Sequence, residues 1–239
     1  ILTVSEEDRQ RILSAIPEHP KVEVMGDTRC DSVLERRDRL KIPELPQNAK
    51  RGFVFVAGST WPPDEACIFP ALKEALTEFP ELFLILAPHE PTEECLKNVE
   101  KHFAGIPFVR WSNISSAPES IRILLIDVVG ILAGLYNSAK MVYVGGAFTS
   151  GVHNILEPLA MGASVAFGPK HDNSTEALQL LEQNLVNTVN NSAEFRNLLF
   201  HLLVDQERCV ELGQKSRVFI ENQSGAAELC VPLLMKDLY

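Results

Sequence analysis

The sequence predicts an α/β protein with a Rossmann-like parallel sheet and helices on both of its faces. Short apolar runs typical of buried strands alternate with longer segments whose apolar residues recur at helical spacing. Residues 53–57 give the first clear strand, residues 64–79 the helix after it, and residues 82–87 the next strand. A strand, a helix and a strand in this order form a right-handed crossover between parallel strands.

The first 50 residues are predicted to lie outside this sheet. They read as a strand end, a helix at residues 6–16 with Ser5 as its N-cap, a short strand at 21–25 and a charged helix at 31–40. Because the chain begins with Ile rather than Met, we expect its N-terminal part to be missing. We therefore divide it into the tail of a truncated N-terminal domain (1–29), an interdomain linker (30–50) and a Rossmann-like domain (51–239).

The larger predicted domain continues the alternation to the end of the chain. Its further strands are predicted at Phe108–Arg110, 121–128, Met141–Val144, Ser164–Phe167 and 185–189. Its further helices are predicted at 92–103, 131–136, 154–162, 174–184, Ser192–Val204, Gln206–Asn222 and Ala226–Lys236. Asn154 is the expected N-cap of the helix before Gly162, and Asn173 is expected to cap the helix that follows it.

Composition excludes several classes of protein. The net charge of −10 argues against a nucleic-acid-binding surface, which is usually basic. The sequence has no apolar run of membrane-spanning length and no signal peptide. The five cysteines are scattered without metal-ligand spacing, so reduced thiols and no metal site are expected. An NAD dehydrogenase is disfavoured because no Gly-x-Gly-x-x-Gly follows the first strand of the domain.

The segment from Met141 to Pro169 is the main candidate for a binding site. Gly145, Gly146 and Gly151 lie in a loop after a strand, and in a parallel sheet such loops meet where ligands bind. His153 and Asn154 stand at the expected start of the next helix, where backbone N–H groups favour an anion such as phosphate. A tight turn explains the glycines equally well, and Asn154 can act as a cap as well as a ligand.

Three further strand ends carry candidate residues. Gly58, Ser59 and Thr60 follow the first strand, where the glycine permits close approach and the hydroxyls can bind phosphate; a simple turn is the alternative. His89 follows the second strand and either contacts an anion or is solvated. Arg110 ends the third strand, beside a loop that either holds a nucleotide base or is solvated.

Residues 145–169 resemble the donor-binding segment of the 3-deoxy-D-manno-octulosonic acid (Kdo) transferases, which have the two-domain GT-B architecture. Their Gly-Gly loop, their Gly-x-His-Asn-x-Leu-Glu-Pro helix start and their strand ending in Phe-Gly-Pro occur here as Gly145–Gly146, residues 151–158 and residues 167–169. The resemblance implies the C-terminal half of a GT-B fold. It also gives Glu157 the role of binding the ribose hydroxyls, whereas stabilisation of the helix start is the alternative.

The resemblance is incomplete at positions that would face the same site. Trp61 stands where the family usually has His after Ser-Thr, and His89 stands where it commonly has Arg. Asp127 and Gly130 match a further motif, but Ile131 replaces its Glu. Any role of the family's His and Glu side chains is therefore lost, and a fixed cation becomes a titratable group.

The resemblance also implies a reaction. The parent enzyme would be an inverting glycosyltransferase of lipopolysaccharide biosynthesis that moves Kdo from CMP-Kdo to a lipid A precursor at the cytoplasmic face of the inner membrane, without a cofactor or a metal. A general base in the missing N-terminal domain would deprotonate the acceptor hydroxyl. We therefore expect this fragment to be soluble, to bind CMP or CMP-Kdo weakly and to be inactive alone.

Two alternatives stay open. Another GT-B enzyme acting on a UDP-sugar, either a transferase or an epimerase, would use a similar glycine loop and glutamate. A Rossmann-like regulatory or interaction module would keep the fold without catalysis. Nucleotide preference distinguishes the first alternative from the Kdo transferase. Glu157→Ala distinguishes the second, because the substitution weakens nucleotide binding only if the chain has a nucleotide site.

Overall fold

The computed structural model describes residues 1–16 and 21–236. The chain forms two compact units, one made of Ile1–Arg39 together with the residues from 218 onward, and the other of Leu40–Arg217. The domain boundaries predicted at residues 29 and 50 stay predictions.

The smaller unit contains a two-stranded parallel sheet and helices. Its strands are β1 (Leu2–Thr3) and β2 (Glu23–Val24), and its helices are α1 (Glu6–Ala15), α2 (Thr28–Arg39) and α11 (Ala226–Lys236). The Ser5 hydroxyl accepts a hydrogen bond from the Asp8 N–H at 3.1 Å, so the predicted N-cap of α1 is confirmed. The Asp31 carboxylate accepts from the N–H groups of Gly225 and Ala227, which satisfies two donors at the start of α11.

The larger unit is built on a seven-stranded parallel sheet with the order β5-β6-β4-β3-β7-β8-β9, as the fold class predicted from the sequence requires. Its strands are β3 (Phe53–Thr60), β4 (Leu82–Pro88), β5 (Phe108–Arg110), β6 (Ile123–Leu125), β7 (Met141–Val144), β8 (Ser164–Phe167) and β9 (Asn187–Thr188). The strand order reverses between β3 and β7, so the crevice outside this pair is the topological switch point of the sheet.

Helices surround the sheet. They are α3 (Gln47–Arg51), α4 (Pro62–Glu78), α5 (Glu93–His102), α6 (Leu132–Leu135), α7 (Leu156–Ala160), α8 (Thr175–Glu182), α9 (Ser192–Val204) and α10 (Gln206–Asn222). Among the described residues, no helix is both long and apolar enough to span a membrane.

The core explains why β3 lies in the middle of the sheet. Every residue of β3 except Ser59 is buried, which is typical of a parallel strand covered on both faces. On one face, the Phe55 and Phe195 rings lie edge to face with centroids 6.0 Å apart, and Tyr143 of β7 meets Phe195 in the same manner at 5.8 Å. Burial of each such ring stabilises the fold by roughly 1.5–3 kcal/mol, so α9 is held firmly over the two strands that flank the switch point.

Several element bounds differ from the prediction. β3 runs on through residues 58–60, with a bulge, because Ser59 adopts a φ of 53°. The strand predicted at 121–128 is only Ile123–Leu125, which matches the three residues of its edge partner β5. The helix α3 and a 3₁₀ segment at Trp111–Ser116 were not predicted, since neither has an amphipathic pattern long enough to indicate a helix.

Candidate functional site

The predicted glycine segments after β3 and β7 meet at the switch point. The Gly145 N–H donates to the Gly58 carbonyl at 2.9 Å, which continues the pairing of the two strands beyond Val144. A Cβ on Gly145 would lie 2.2 Å from the carbonyl oxygen of Ser59, so only glycine allows this backbone crossing. The structure thus brings Gly58, Ser59 and Gly145 together. It also shows that Gly145 is needed for backbone packing, which the sequence alone could not distinguish from a need for close approach of a ligand.

Gly58 and Thr60 are explained by their protein neighbours. A Cβ on Gly58 would lie 2.2 Å from the hydroxyl of Tyr136, a buried residue, so Gly58 makes room for that ring. Thr60 is buried, and its hydroxyl donates to Glu65 Oε1 at 3.0 Å. Burial raises the pKa of Glu65. The Thr60 hydroxyl therefore faces helix α4 in this structure.

The loop after β7 folds around the carbonyl of Gly146. That oxygen accepts hydrogen bonds from the N–H and hydroxyl of Thr149 and from the N–H of Gly151. Gly146 has a φ of +96°, and a Cβ there would lie 2.5 Å from the Gly151 carbonyl oxygen. A left-handed conformation and a close contact therefore both require glycine at position 146.

The other side of this loop is fixed by the segment after β8. Gly151 has a φ of +134°, and its missing side chain leaves space for Asn173. The Asn173 amide donates to the Val152 carbonyl at 2.9 Å. The prediction that Asn173 caps α8 is wrong, because the Ser174 hydroxyl accepts from Ala177 N–H and is the N-cap. Asn173 instead holds the loop in place.

A buried carboxylate that the sequence analysis missed anchors the site from below. Asp64 is fully buried, and it accepts hydrogen bonds from the Tyr143 hydroxyl at 2.9 Å, the Gly146 N–H at 2.9 Å and the Trp61 N–H at 3.0 Å. A buried carboxylate needs such partners. The sequence carried one indication of this role. Asp64 is the third residue of α4, a position from which Asp accepts a hydrogen bond from the N–H of the residue before the helix.

Three aromatic rings form a cluster beside the loop, and each of them contacts the other two. The rings of Trp61 and His89 stack with centroids 4.7 Å apart, and those of His89 and His153 stack at 4.4 Å and 5° from parallel. The indole N–H of Trp61 donates to Nε2 of His153 at 3.0 Å. Burial first, and His89 second, lower the pKa of His153, while the Asp64 carboxylate opposes them. Two of the three positions that depart from the family pattern, Trp61 and His89, thus contact each other.

Asn154 and Glu157 lie at the start of α7. The predicted cap is one residue off, because the helix begins at Leu156 and Ile155 precedes it. Asn154 Oδ1 accepts from the Leu156 N–H at 3.0 Å, which is the geometry of an Asx-turn, and the Asn154 side chain is exposed. Glu157 is half-buried; burial and, second to it, the Glu157 charge raise the pKa of Tyr136. Glu157 therefore lies near the Tyr136 ring, which contacts Gly58.

Arg110 has partners on helix α5. Its guanidinium donates to Glu93 at 2.8 and 3.1 Å and to Glu100 at 2.7 Å, and these carboxylates raise its pKa further. In the neighbouring loop, the N–H and hydroxyl of Ser112 donate to the Asp127 carboxylate. A nucleotide would have to compete with two carboxylates for Arg110, so we leave this residue out of the site proposed below.

A cavity of about 490 Å³ opens beside Trp61, between helices α4 and α5. Its wall includes the carboxylates of Glu65, Glu90 and Glu94 and the Cys95 side chain. Burial raises the pKa of the Cys95 thiol to about 11, so this thiol stays protonated at neutral pH. The acidic wall disfavours an anion here, which leaves the loop of residues 145–154 as the better place for a phosphate.

The arrangement is suited to binding by hydrogen bonds. It presents the amide of Asn154, a half-exposed imidazole and a half-buried carboxylate around one glycine loop. Among the described residues, no group of three His, Cys, Asp or Glu side chains could hold a metal ion.

Comparison with known proteins agrees with this fold and loop. No protein-family model matches the chain. Among solved structures, the UDP-GlcNAc 2-epimerase from Neisseria meningitidis bound to UDP-GlcNAc superposes with a TM-score of 0.64 at 16% identity, over 98% of this chain and 60% of that one. The larger unit is thus a Rossmann-like domain of the kind that forms the C-terminal half of GT-B-type enzymes.

The sequence comparison is more specific. A 3-deoxy-D-manno-octulosonic acid transferase from Chlamydia pneumoniae is 29% identical over 241 residues, which cover 94% of this chain and 52% of the relative. The C-terminal CMP-Kdo binding domain of WaaA from Acinetobacter baumannii has a TM-score of 0.61 at 22% identity, over 78% of this chain and 98% of that one. The chain is therefore a relative of the Kdo transferases, and it spans about half the length of the curated relative named here.

Proposed function

We propose that this chain is the donor-binding part of a Kdo transferase and that it binds CMP-Kdo. The observation that carries the proposal is the loop from Gly145 to Glu157. It lies at the switch point of the sheet, it contains the family's motif, and the fold around it is that of a domain named for CMP-Kdo binding.

Each contact in the proposed site follows from the chemistry of the side chain. The exposed Asn154 amide and the His153 imidazole donate to the phosphate of CMP. The negative charge of Glu157 would repel the phosphate, so this carboxylate binds the ribose instead. It accepts two hydrogen bonds from the ribose hydroxyls. Gly145, Gly146 and Gly151 shape the loop that places these groups. The five-residue helix α7 contributes little through its dipole, because its Leu156 N–H is already bound to Asn154.

The chemistry of the whole enzyme is part of the same proposal. The acceptor, a lipid A precursor at the inner membrane, is bound by the half of the relatives that this chain does not cover. There a carboxylate takes the proton of the acceptor hydroxyl, whose oxygen then attacks the anomeric carbon of Kdo with inversion. CMP leaves with the bonding electrons. The donors of the present loop stabilise the charge that develops on its phosphate.

Isothermal titration of the protein with CMP, UDP and GDP tests the proposal. We expect CMP to bind and the other two to bind far more weakly. Glu157→Ala should weaken CMP binding by roughly 10- to 100-fold, the value of hydrogen bonds to a charged group. The matched control is Glu182→Ala on α8, whose exposed side chain leaves the affinity unchanged.

The other outcomes of this titration are equally informative. A preference for UDP would keep the fold but replace the substrate by a UDP-sugar, as in the epimerase named above. Equal affinity of wild type and Glu157→Ala would contradict the assigned role of Glu157. A lack of binding by all three nucleotides would favour a Rossmann-like module without a donor site.

A further inference from the structure

In the cluster of Trp61, His89 and His153, one hydrogen bond has only one possible direction. Nε1 of the Trp61 indole carries a hydrogen and can only donate. Its partner at 3.0 Å, Nε2 of His153, must therefore accept, and an imidazole nitrogen accepts only when it carries no proton. Most histidine contacts leave the tautomer open, whereas this one determines it.

We propose that Trp61 is a positioning residue, which fixes His153 as the neutral tautomer with its proton on Nδ1 and thereby presents that N–H to the phosphate of the nucleotide. The phosphate contact rests on the function proposed above for the loop that carries His153. The effect of Trp61 on the tautomer rests only on the geometry of the two side chains.

The geometry leaves the Nδ1 side of the ring for a ligand. A Cβ on Gly146 would meet Cδ2 and Nε2 of His153, so that edge of the ring faces Gly146 and Trp61. Nδ1 lies on the other side of the ring, and in the part of the chain that the structure describes it has no hydrogen-bond partner. The His153 N–H donates to the Gly145 carbonyl at 3.1 Å, which fixes the backbone that carries the ring.

The charges around His153 support a neutral ring. His89, from the loop after β4, lies parallel to it at 4.4 Å, and two stacked imidazolium ions would repel each other. Asp64 on α4 is the opposing negative charge, but its carboxylate already accepts three hydrogen bonds. Burial and His89 together lower the pKa of His153. The ring therefore serves as a directed donor, not as a cation.

Nitrogen-15 NMR of the histidine rings in the ligand-free protein tests the effect on the tautomer. In the wild type at pH 7.5, we expect His153 Nε2 to have the shift of an unprotonated nitrogen and Nδ1 that of a protonated one. In Trp61→Phe, which keeps a ring against His89 but removes the N–H, the proton should redistribute to Nε2. His153→Gln assigns the signals, and His201→Gln at the end of α9 is the control. A protonated Nε2 in the wild type, or no change in Trp61→Phe, would overturn the proposal.

Titration with CMP then tests the consequence for the ligand. Trp61→Phe should weaken binding by about two- to tenfold, the contribution of one hydrogen bond. His153→Gln should weaken it to a similar extent, and the double variant should be no weaker than either single one, because both remove the same contact. Additive losses would contradict an action of Trp61 through His153. If the wild type binds no nucleotide, the proposed function and the phosphate contact fail, whereas the spectrum of the free protein still decides whether Trp61 sets the tautomer.

Discussion

At the scale of single residues, Asp64 connects the most parts of the site. Its carboxylate accepts three hydrogen bonds, one from the N–H of Trp61 just after β3, one from the Tyr143 side chain of β7 and one from the Gly146 N–H in the loop after β7. It touches no part of the proposed ligand directly. Its effect on function is therefore expected to follow from its effect on structure.

Asp64→Asn should lower the free energy of unfolding by roughly 1–2 kcal/mol. Its amide oxygen can take the place of Oδ2 and keep the two N–H donors, but these bonds lose their charge, and the amide NH₂ must donate to the Tyr143 hydroxyl, which donates to Asp64 in the wild type. Urea unfolding followed by circular dichroism measures this loss. The exposed Asp172→Asn is the matched control and should change the stability by less than about 0.5 kcal/mol. A loss in Asp64→Asn no larger than in the control would mean that the negative charge of Asp64 adds nothing to these three hydrogen bonds.

His153 should make stability depend on pH in a defined direction. Because its pKa is lower in the folded protein than the ordinary value of 6.5, the unfolded chain binds the extra proton more readily. The stability that this histidine contributes is therefore present above about pH 6.5 and is lost as the pH falls through the folded pKa. Burial of Glu65 works in the opposite direction, since its raised pKa gives stability at low pH that is lost as the pH rises.

Comparison of variants separates the two contributions. Urea unfolding at pH 7.5 and pH 5.5 should show that His153→Gln loses less stability on acidification than the wild type does. The Glu65 contribution is common to both proteins and cancels in the difference. Equal losses in the two proteins would show that His153 titrates with the same pKa in the folded and unfolded chain.

The sequence could name the residues of the site but not their mutual contacts. Gly145, Gly146 and His153 follow from the motif, and the structure places them together. The pairing of Trp61 with His153 spans 92 residues of chain, and no local pattern indicates such a contact. Arg110 shows the same limit, because Glu93 and Glu100 come close to it only when α5 packs beside β5.

At the scale of elements, the loop after β7 depends on backbone conformations that only glycine adopts easily. Gly146→Ala should destabilise the protein by about 2–4 kcal/mol, since it combines a positive φ with a contact of 2.5 Å to the Gly151 carbonyl. Gly130→Ala is a matched control: its φ is +92°, but a Cβ there meets nothing within 4 Å. It should cost only about 1 kcal/mol of strain.

Thermal unfolding of both variants measures the difference, and CMP titration at a temperature where both are folded measures the effect on the loop. We expect binding to be lost in Gly146→Ala and kept in Gly130→Ala. Equal stability of the two variants would show that the loop relaxes around the added methyl group.

Elements were easiest to predict where local signals agree. Helices α9 and α10 begin and end at the predicted residues, and β7 and β8 do as well. The departures arise where a tertiary contact decides the bounds. β3 continues for three residues beyond its apolar run because Gly58 and Thr60 still pair with β4, with a bulge at Ser59 that the sequence does not indicate.

At the scale of the whole molecule, the two compact units differ in how much of their backbone is protected. β3, β4 and β7 are almost entirely buried and are paired in the middle of the sheet. In the other unit, β1 and β2 are two residues each, and α1 contains no buried residue. The free energy of local opening is lowest where few apolar contacts hold a segment.

Hydrogen exchange followed by mass spectrometry should therefore show slow exchange in peptides covering residues 53–58, 82–88 and 141–144. Peptides covering residues 1–16 should exchange orders of magnitude faster, through local opening. Each unit serves as the internal control for the other in one sample. Equally slow exchange of residues 1–16 would indicate stabilising contacts that the burial of this segment does not reveal.

Trp61 also has a consequence for how the protein can be observed. The chain contains two tryptophans, and one of them is stacked on His89 and bonded to His153 beside the proposed phosphate position. Indole fluorescence is sensitive to the protonation and distance of a neighbouring imidazole. With Trp111→Phe leaving Trp61 as the single emitter, its emission should change as a nucleotide enters, so that occupancy of the loop can be followed optically without any label.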